Sequence, residues 1–340
     1  MTQTRILRRA SPTIAETPLE ALDGLLTPTP LFYVRDHFDE VPGFDLESWR
    51  LAVGGLVERP LSLSLDDLGA LPRRELVCTL ECAGNGGYGN HLRRGGVSTA
   101  HWRGVSLAEV LALAGLRSGV SDVVTRGAES GDDPEAPEAQ GYERSLPLAR
   151  ATAPDTLLAL EMNGAPLAPE HGAPVRLVVP GWYGMDAVKW LIELRATSAP
   201  SGAFYMARRY RADYTKGPQV REMTVKSLIA RPVAGARLPL GPALVEGVAW
   251  GGDGPVTRVD VSTDGGASWA PAELLGEALP ATWRLWRHSW TAGQSGEHVL
   301  MARAHDALGQ AQPFDLRPGD LGRYRANAVE RVAVLVERSR

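Results

Sequence analysis

The sequence predicts an α+β chain in two parts. Strands mixed with short helices run to about residue 225, and an all-β sandwich of immunoglobulin-like kind fills 226–340. Three observations carry this. A chain of 340 residues has the length of about two domains. Up to residue 225, helix-start patterns such as Ser106-Leu107-Ala108-Glu109 stand among short apolar runs. Beyond it, β-like runs follow one another with turn residues between them.

Residues 1–27 form an N-terminal extension with little pattern, in which Leu19, Leu22, Leu25 and Leu26 suffice to dock one short helix. Arg8 and Arg9 precede no apolar stretch of export-signal length and read as a solvated tail. On this reading the chain is cytoplasmic, and periplasmic only if a leader has been removed. Next, Pro30 to His37 is an apolar strand ending in charge, and Arg35 and His37, two apart, face one side of it. Leu51-Ala52-Val53 and Leu56-Val57 bracket Gly54-Gly55, a strand with a bulge or bend. Ser64 is the expected N-cap of a short helix with Asp66 and Asp67 in its first turn.

Leu76 to Asn85, L-V-C-T-L-E-C-A-G-N, is a buried strand that stops in a tight loop. It leaves Cys82 at the strand's lip. A cysteine after an apolar strand is commonly inert packing. A thiolate presented from such a loop is also a soft metal ligand. The glycine-rich stretch 84–96 has neither dinucleotide nor P-loop spacing, so it carries no nucleotide fingerprint. Ser106-x-x-Glu109 is a capping box opening a helix that Gly115 stops. Residues 127–141, with Glu129, Asp132, Asp133, Glu135 and Glu138, read as an acidic surface loop. Leu157 to Met162 is a strand or helix end closed by Asn163-Gly164.

His171, Arg176 and Lys189 each lie beside an apolar strand or turn, with no acidic run nearby in sequence to neutralise them. Buried cations need anionic partners, and a bound phosphate would serve. In the last part, Ala243–Trp250, Thr257–Ser262, Trp283–Trp290 and Glu297–Asp306 are the strand candidates, and Thr263-Asp264-Gly265-Gly266 is a hairpin turn. Five of the nine tryptophans fall here, which suits a core and a subunit interface.

Composition narrows the function classes. A net charge of −4 and an isoelectric point near 6.0 argue against a nucleic-acid groove. No run approaches the ~20 apolar residues of a membrane-spanning helix. The only cysteines, Cys78 and Cys82, would lie roughly 13 Å apart on one strand, too far for a disulfide. No haem-attachment motif occurs, so no haem is expected in this chain.

From Pro28 to Val336 the chain resembles the sulfite oxidase family of molybdenum-cofactor enzymes. The resemblance rests on Phe32-Tyr33-Val34-Arg35-Asp36-His37, Cys82-Ala83-Gly84-Asn85, Met162-Asn163-Gly164, His171 to Gly181, Val188-Lys189-Trp190 and Val259 to Trp269. It implies a mixed α/β molybdopterin-binding domain over 1–225 and an immunoglobulin-like dimerisation domain over 226–340, hence a homodimer. It implies that Cys82 ligates molybdenum beside the pterin dithiolene. Tyr33, Val34, Arg35, Asp36, His37, Glu129, His171, Arg176, Ala187, Val188 and Lys189 would hold the cofactor, and Tyr210 and Arg35 would act on substrate. The implied chemistry is oxygen-atom transfer to a small anionic sulfur substrate, by default sulfite to sulfate. Electrons would pass to a separate acceptor such as a c-type cytochrome.

In one place the chain departs from the family. Sulfite-oxidising members continue C-A-G-N with two arginines, where this chain has Gly86 and Gly87, and a further substrate arginine has only Arg317 or Arg323 as counterparts. A less cationic pocket suits another sulfur oxyanion, a sulfane sulfur or an S-oxide. Two rival readings lie outside the family: a thiol enzyme using Cys82 with His91, His101 or His171 as base, and a non-catalytic β-sandwich binding protein.

Overall fold

The computed structural model describes residues 3–86, 92–133, 136–212, 216–316 and 324–338. The first part is built on two five-stranded sheets that face each other across one core. In one, Arg73–Glu81 pairs antiparallel with Val97–Ser106, which continues to Leu157–Met162 and then to Ala165–Pro166 and Arg176–Val178. The other runs Leu61–Leu63, Leu51–Gly55, Leu191–Thr197, Asp122–Gly127, Glu143–Pro147. Its central pair, Leu51–Gly55 with Leu191–Thr197, is parallel, so the sheet is mixed. Helix Leu107–Ala114 closes the core with Leu107, Val110, Leu111 and Ala114, the face its sequence periodicity marks.

Leu157–Met162 is a strand, which resolves that ambiguity. Leu51–Gly55 runs through both glycines, and Gly55, at φ +82°, turns the chain out of the sheet. Helix Leu65–Gly69 carries the full reciprocal cap between Ser64 and Asp67. Ser106 makes no such cap. The Leu107 amide is taken by the Thr156 carbonyl at 2.9 Å, and the buried Ser106 hydroxyl has no partner. The capping-box pattern is therefore corrected to a helix start held by a neighbouring backbone.

The N-terminal extension is likewise not a solvated tail. Ile6–Arg9 and Ile14–Glu16 form a hairpin whose second strand pairs with Val34–Arg35. Arg8 ion-pairs with Glu16, which is 2% exposed, at 2.5 Å. Glu16 also accepts from the backbone amides of Arg93 and Arg94. The expected helix shrinks to one 3₁₀ turn, Leu19–Ala21, because Leu25 and Leu26 stay exposed.

Beyond residue 225 two sheets stack into a sandwich. One has the order Lys226–Arg231, Gly241–Trp250, Arg284–Ala292, Glu273–Leu275. The other runs Arg237–Pro239, Val332–Glu337, Gly296–Asp306, Val256–Ser262, Ala270–Pro271. Val245, Val259, Trp286, Leu300 and Val334 fill the space between them. The outward side of the first sheet is buried too. Leu228, Val248, Trp250 and Trp283 join the core of the first part.

Candidate active site

Strand Arg73–Glu81 delivers Cys82 to the lining of a concave pocket. The sulfur is half-buried, in contrast to Cys78, whose thiol is fully buried and pushed up to about 12 by desolvation. Cys82 is itself raised by burial. The Arg35 guanidinium and the Gly84 amide, which donates to the sulfur, pull it back down. Burial thus disfavours the thiolate at both cysteines, and at Cys82 the Arg35 guanidinium leads the influences that oppose it.

Around this sulfur the chain gathers residues from five separate segments. Val34 and Arg35 form the strand that the N-terminal hairpin completes, with Tyr33 and His37 flanking it, so the strand expected over 30–37 is corrected to these two residues after a 3₁₀ turn at Thr29–Leu31. His171 and Arg176 flank Gly172, and Ala187, Val188 and Lys189 lead into Leu191–Thr197. Gly172 sits at φ +101°, and a Cβ there would lie 2.9 Å from the Lys189 Cβ and 3.1 Å from that of Arg176. Glycine at this position is what lets the two cations converge. Glu129 and Tyr210 complete the lining. Asp36 stands behind it, where its carboxylate ion-pairs with Lys189. The counter-charge of Lys189 therefore comes from 153 positions away, which explains why none was visible nearby in sequence.

Arg176 is treated differently. It is 5% exposed, and among the described residues its guanidinium hydrogen-bonds to carbonyls, those of His171 at 3.1 Å, Ala187 at 3.0 Å and Leu177 at 3.5 Å, with the Trp102 ring 5.1 Å away. Burial lowers it to about 10. His171 places Nε2 3.2 Å from the Thr29 carbonyl, which puts the ring proton on that nitrogen. Burial and then the charges of Arg176 and Lys189 push it down to about 3, so it is neutral. His37 is neutral for the same reasons, burial first and Arg35 next. Its Nε2 lies 2.5 Å from the Tyr210 hydroxyl. Burial holds Tyr210 protonated, and its backbone adopts φ +55°, uncommon for a tyrosine.

Glu129 overturns the surface-loop reading of residues 127–141. It is 3% exposed, one carboxylate oxygen (Oε2) has no partner, and burial raises it to about 7 despite the nearby Lys189. Asp133 of the same loop is buried and accepts from the Tyr205 hydroxyl. Glu129 is part of the cavity lining, whereas Asp132 and Glu138 stay exposed as the surface-loop reading expects, and Glu135 lies outside the described residues.

Two residues, Tyr142 in the lining and Arg144 behind it, left no mark in the sequence. Tyr142 stacks on His37 at 4.4 Å and donates to the Met185 carbonyl at 2.7 Å. Arg144, wholly buried, pairs with Asp186 at 2.8 Å and lies 5.5 Å from the Tyr210 ring. A lone tyrosine and an arginine on a strand are ordinary at sequence level, and only burial distinguishes them. Gly184 leaves room that a Cβ would fill, 2.5 Å from the Tyr33 hydroxyl. Gly87, His91, Arg317 and Arg323 lie outside the described residues.

These features fit a molybdopterin. The site offers one half-exposed sulfur for a metal, a buried guanidinium without a carboxylate partner for a phosphate, and an orphaned carboxylate oxygen for the N–H groups of a pterin ring. Among the described residues no three His, Cys, Asp or Glu side chains cluster as a metal cage.

Comparison with known proteins agrees. The family model described as an oxidoreductase molybdopterin binding domain matches residues 37–205, and that of a Mo-co oxidoreductase dimerisation domain matches 218–334. Mitochondrial sulfite oxidase of Rattus norvegicus is 38% identical over 95% of this chain, which spans 64% of that relative's length. Sulfite oxidase of Gallus gallus is 37% identical over 89% of this chain and 72% of its own. The sulfane dehydrogenase SoxCD of Paracoccus pantotrophus superposes with a TM-score of 0.85 at 30% identity, covering 100% of this chain and 89% of that one.

Proposed function

The chain belongs to the sulfite oxidase family of molybdenum-cofactor oxidoreductases, and from that premise we propose that it oxidises a small sulfur oxyanion, sulfite first among them, at a molybdenum anchored by Cys82. The observation that carries the reading is the convergence of Arg35, Arg176, Lys189 and neutral His171 on the cavity that the Cys82 sulfur faces. Bound there, the molybdenum–molybdopterin supplies two-electron oxygen-atom transfer, so that sulfite and water become sulfate, two protons and two electrons.

The chain's own residues bind and orient. Arg176 would take the cofactor phosphate, with Lys189 beside it sharing its charge with Asp36, and Glu129 would accept from the pterin ring. Arg35 draws the dianion to the mouth and offsets its charge. Tyr210 donates its hydroxyl proton to one substrate oxygen, with the His37 imidazole fixing the direction of the phenol. The electrons leave for a separate acceptor, for which a c-type cytochrome is suited, and two copies pair through 226–340.

Gly86 supports a second reading. It has φ +78°, which side chains rarely adopt, and a Cβ there would press on the Arg93 carbonyl at 3.3 Å, so the backbone here is shaped for glycine and not for the arginine of sulfite-oxidising members. A site with one cation fewer suits a sulfane sulfur or a neutral S-oxide better than a dianion such as sulfite, in line with the name of the structural relative SoxCD.

Metal analysis and turnover test both readings. We expect about one molybdenum per chain, and loss of turnover in a folded Cys82→Ser variant. Sulfite, thiosulfate and an S-oxide, assayed side by side with a dye acceptor, rank the substrates. Turnover that survives without molybdenum sinks the proposal.

A further inference from the structure

Glu81 immediately precedes the metal-anchoring cysteine, and its carboxylate is 1% exposed as a residue. Every bond it makes is accounted for. Oε1 accepts from the Lys226 ammonium at 3.0 Å and from Asn85 Nδ2 at 3.1 Å, and Oε2 accepts from Trp250 Nε1 at 2.8 Å. Lys226, also buried, donates to the Asn85 carbonyl at 2.9 Å, and Asn85 Oδ1 in turn takes the Gly96 amide at 3.0 Å. Two of these partners, Lys226 and Trp250, belong to the first sheet of the sandwich.

The consequence for the sulfur follows from strand geometry. Side chains of successive residues leave a strand on opposite sides. With Glu81 locked toward the sandwich, Cys82 is turned toward the cavity. The same strand and loop are gripped three times more from the sandwich side, first by the Ala281 carbonyl, which accepts from the Thr79 amide at 2.9 Å. The Trp283 amide donates to Thr79 Oγ1 at 2.8 Å, and the Arg325 amide donates to the Ala83 carbonyl at 2.9 Å. A buried, fully satisfied ion pair gives little net stability but holds one geometry, and a supporting group behind a metal ligand sets how that ligand presents itself.

We propose that Glu81, held by Lys226 and Trp250 across the boundary between the two parts, is the positioning residue for the Cys82 sulfur, so that the sandwich is a working part of the metal site. This rests on the molybdenum reading above. The alternative is an ion pair that only glues the two parts together.

The test uses the molybdenum-loaded chain. Glu81→Gln/Lys226→Met removes both charges at similar volume and leaves no lone buried ion. Arg231→Met is the control, since it cuts another bond across the boundary, Arg231 Nη1 to the Glu20 carbonyl at 2.9 Å, away from the thiol strand. We expect the double variant to shed molybdenum on dialysis about tenfold faster, the usual effect of losing such a supporting group, and to shift the metal's EPR signal. Arg231→Met should match the wild type in both. Trp250→Phe keeps an aromatic ring, deletes one hydrogen bond and leaves a small cavity in the shared core. It should shift the same signal by less, and it carries the test if the double variant does not fold. Wild-type retention and an unmoved signal in folded variants overturn the proposal. A wild-type chain that purifies without molybdenum overturns the functional reading instead.

Discussion

At the scale of single residues, the site works by keeping some charges and suppressing others. Arg35 is the cation at the mouth, and Arg35→Met should lower kcat/KM for an anionic substrate roughly 10- to 100-fold, mostly through KM, the worth of a charge-assisted hydrogen bond. Tyr210→Phe removes a neutral hydroxyl and should cost only about 1 kcal/mol, a severalfold loss. Glu129 gives a pH signature in the cofactor-free protein. Its native value near 7 exceeds its ordinary 4.5, so the native state holds this proton more tightly than the unfolded chain. Stability from this group is full below about 4.5 and is lost as pH rises through 7, by roughly 3 kcal/mol. His171 acts in the opposite sense. Its native value of about 3 lies below 6.5, so its contribution is present above 6.5 and lost as the solution is acidified toward 3. The two slopes oppose each other between 4.5 and 6.5. Urea melts of Glu129→Gln and wild type across pH 4 to 8 should therefore diverge, the variant gaining relative stability as pH rises. Parallel curves would show that Glu129 is not suppressed.

Residue chemistry of this kind was only partly legible beforehand. Cys82, Arg35, His171, Arg176 and Lys189 could be picked out because each interrupts or ends an apolar run. Glu129 carried no such mark as an acid among acids, and its burial follows from the fold closing over it. Tyr142 and Arg144 matter through partners 43 and 42 positions away, Met185 and Asp186, which no local pattern encodes.

Among the elements, the strands were legible and the helix starts less so. Two nearly identical serine signatures have different fates, which makes them a matched pair. Ser64 caps Leu65–Gly69 with its side chain, and Ser64→Ala should cost about 1 kcal/mol by chemical denaturation. Ser106 has a buried, unpartnered hydroxyl before Leu107–Ala114, so Ser106→Ala should be neutral or slightly stabilising. Equal losses in the two variants would contradict this assignment. The N-terminal hairpin escaped notice for a related reason. Ile6–Arg9 and Ile14–Glu16 are too short to show alternation, and what secures them is tertiary, the partners of Glu16 in the loop at 93–94.

For the whole molecule, the division near residue 225 was visible as a change of texture, but the energetic division is elsewhere. Trp250 and Trp283 belong to the sandwich by sequence and to the first part's core by packing. The two parts should therefore unfold together, and calorimetry of the cofactor-free chain should show one transition. Two well-separated peaks would mean that the shared core is weak.

Lys226 is the first residue past the point where sequence alone would divide the chain, and it reaches back to the strand that ends at the thiol. A chimaera spliced there, with the sandwich borrowed from a relative, would import a foreign backing for the metal ligand. Recombination within this family should succeed when the donor brings its own lysine and indole, or when the recipient's glutamate is exchanged to match, and module swapping is then bounded by chemistry and not by domain outline.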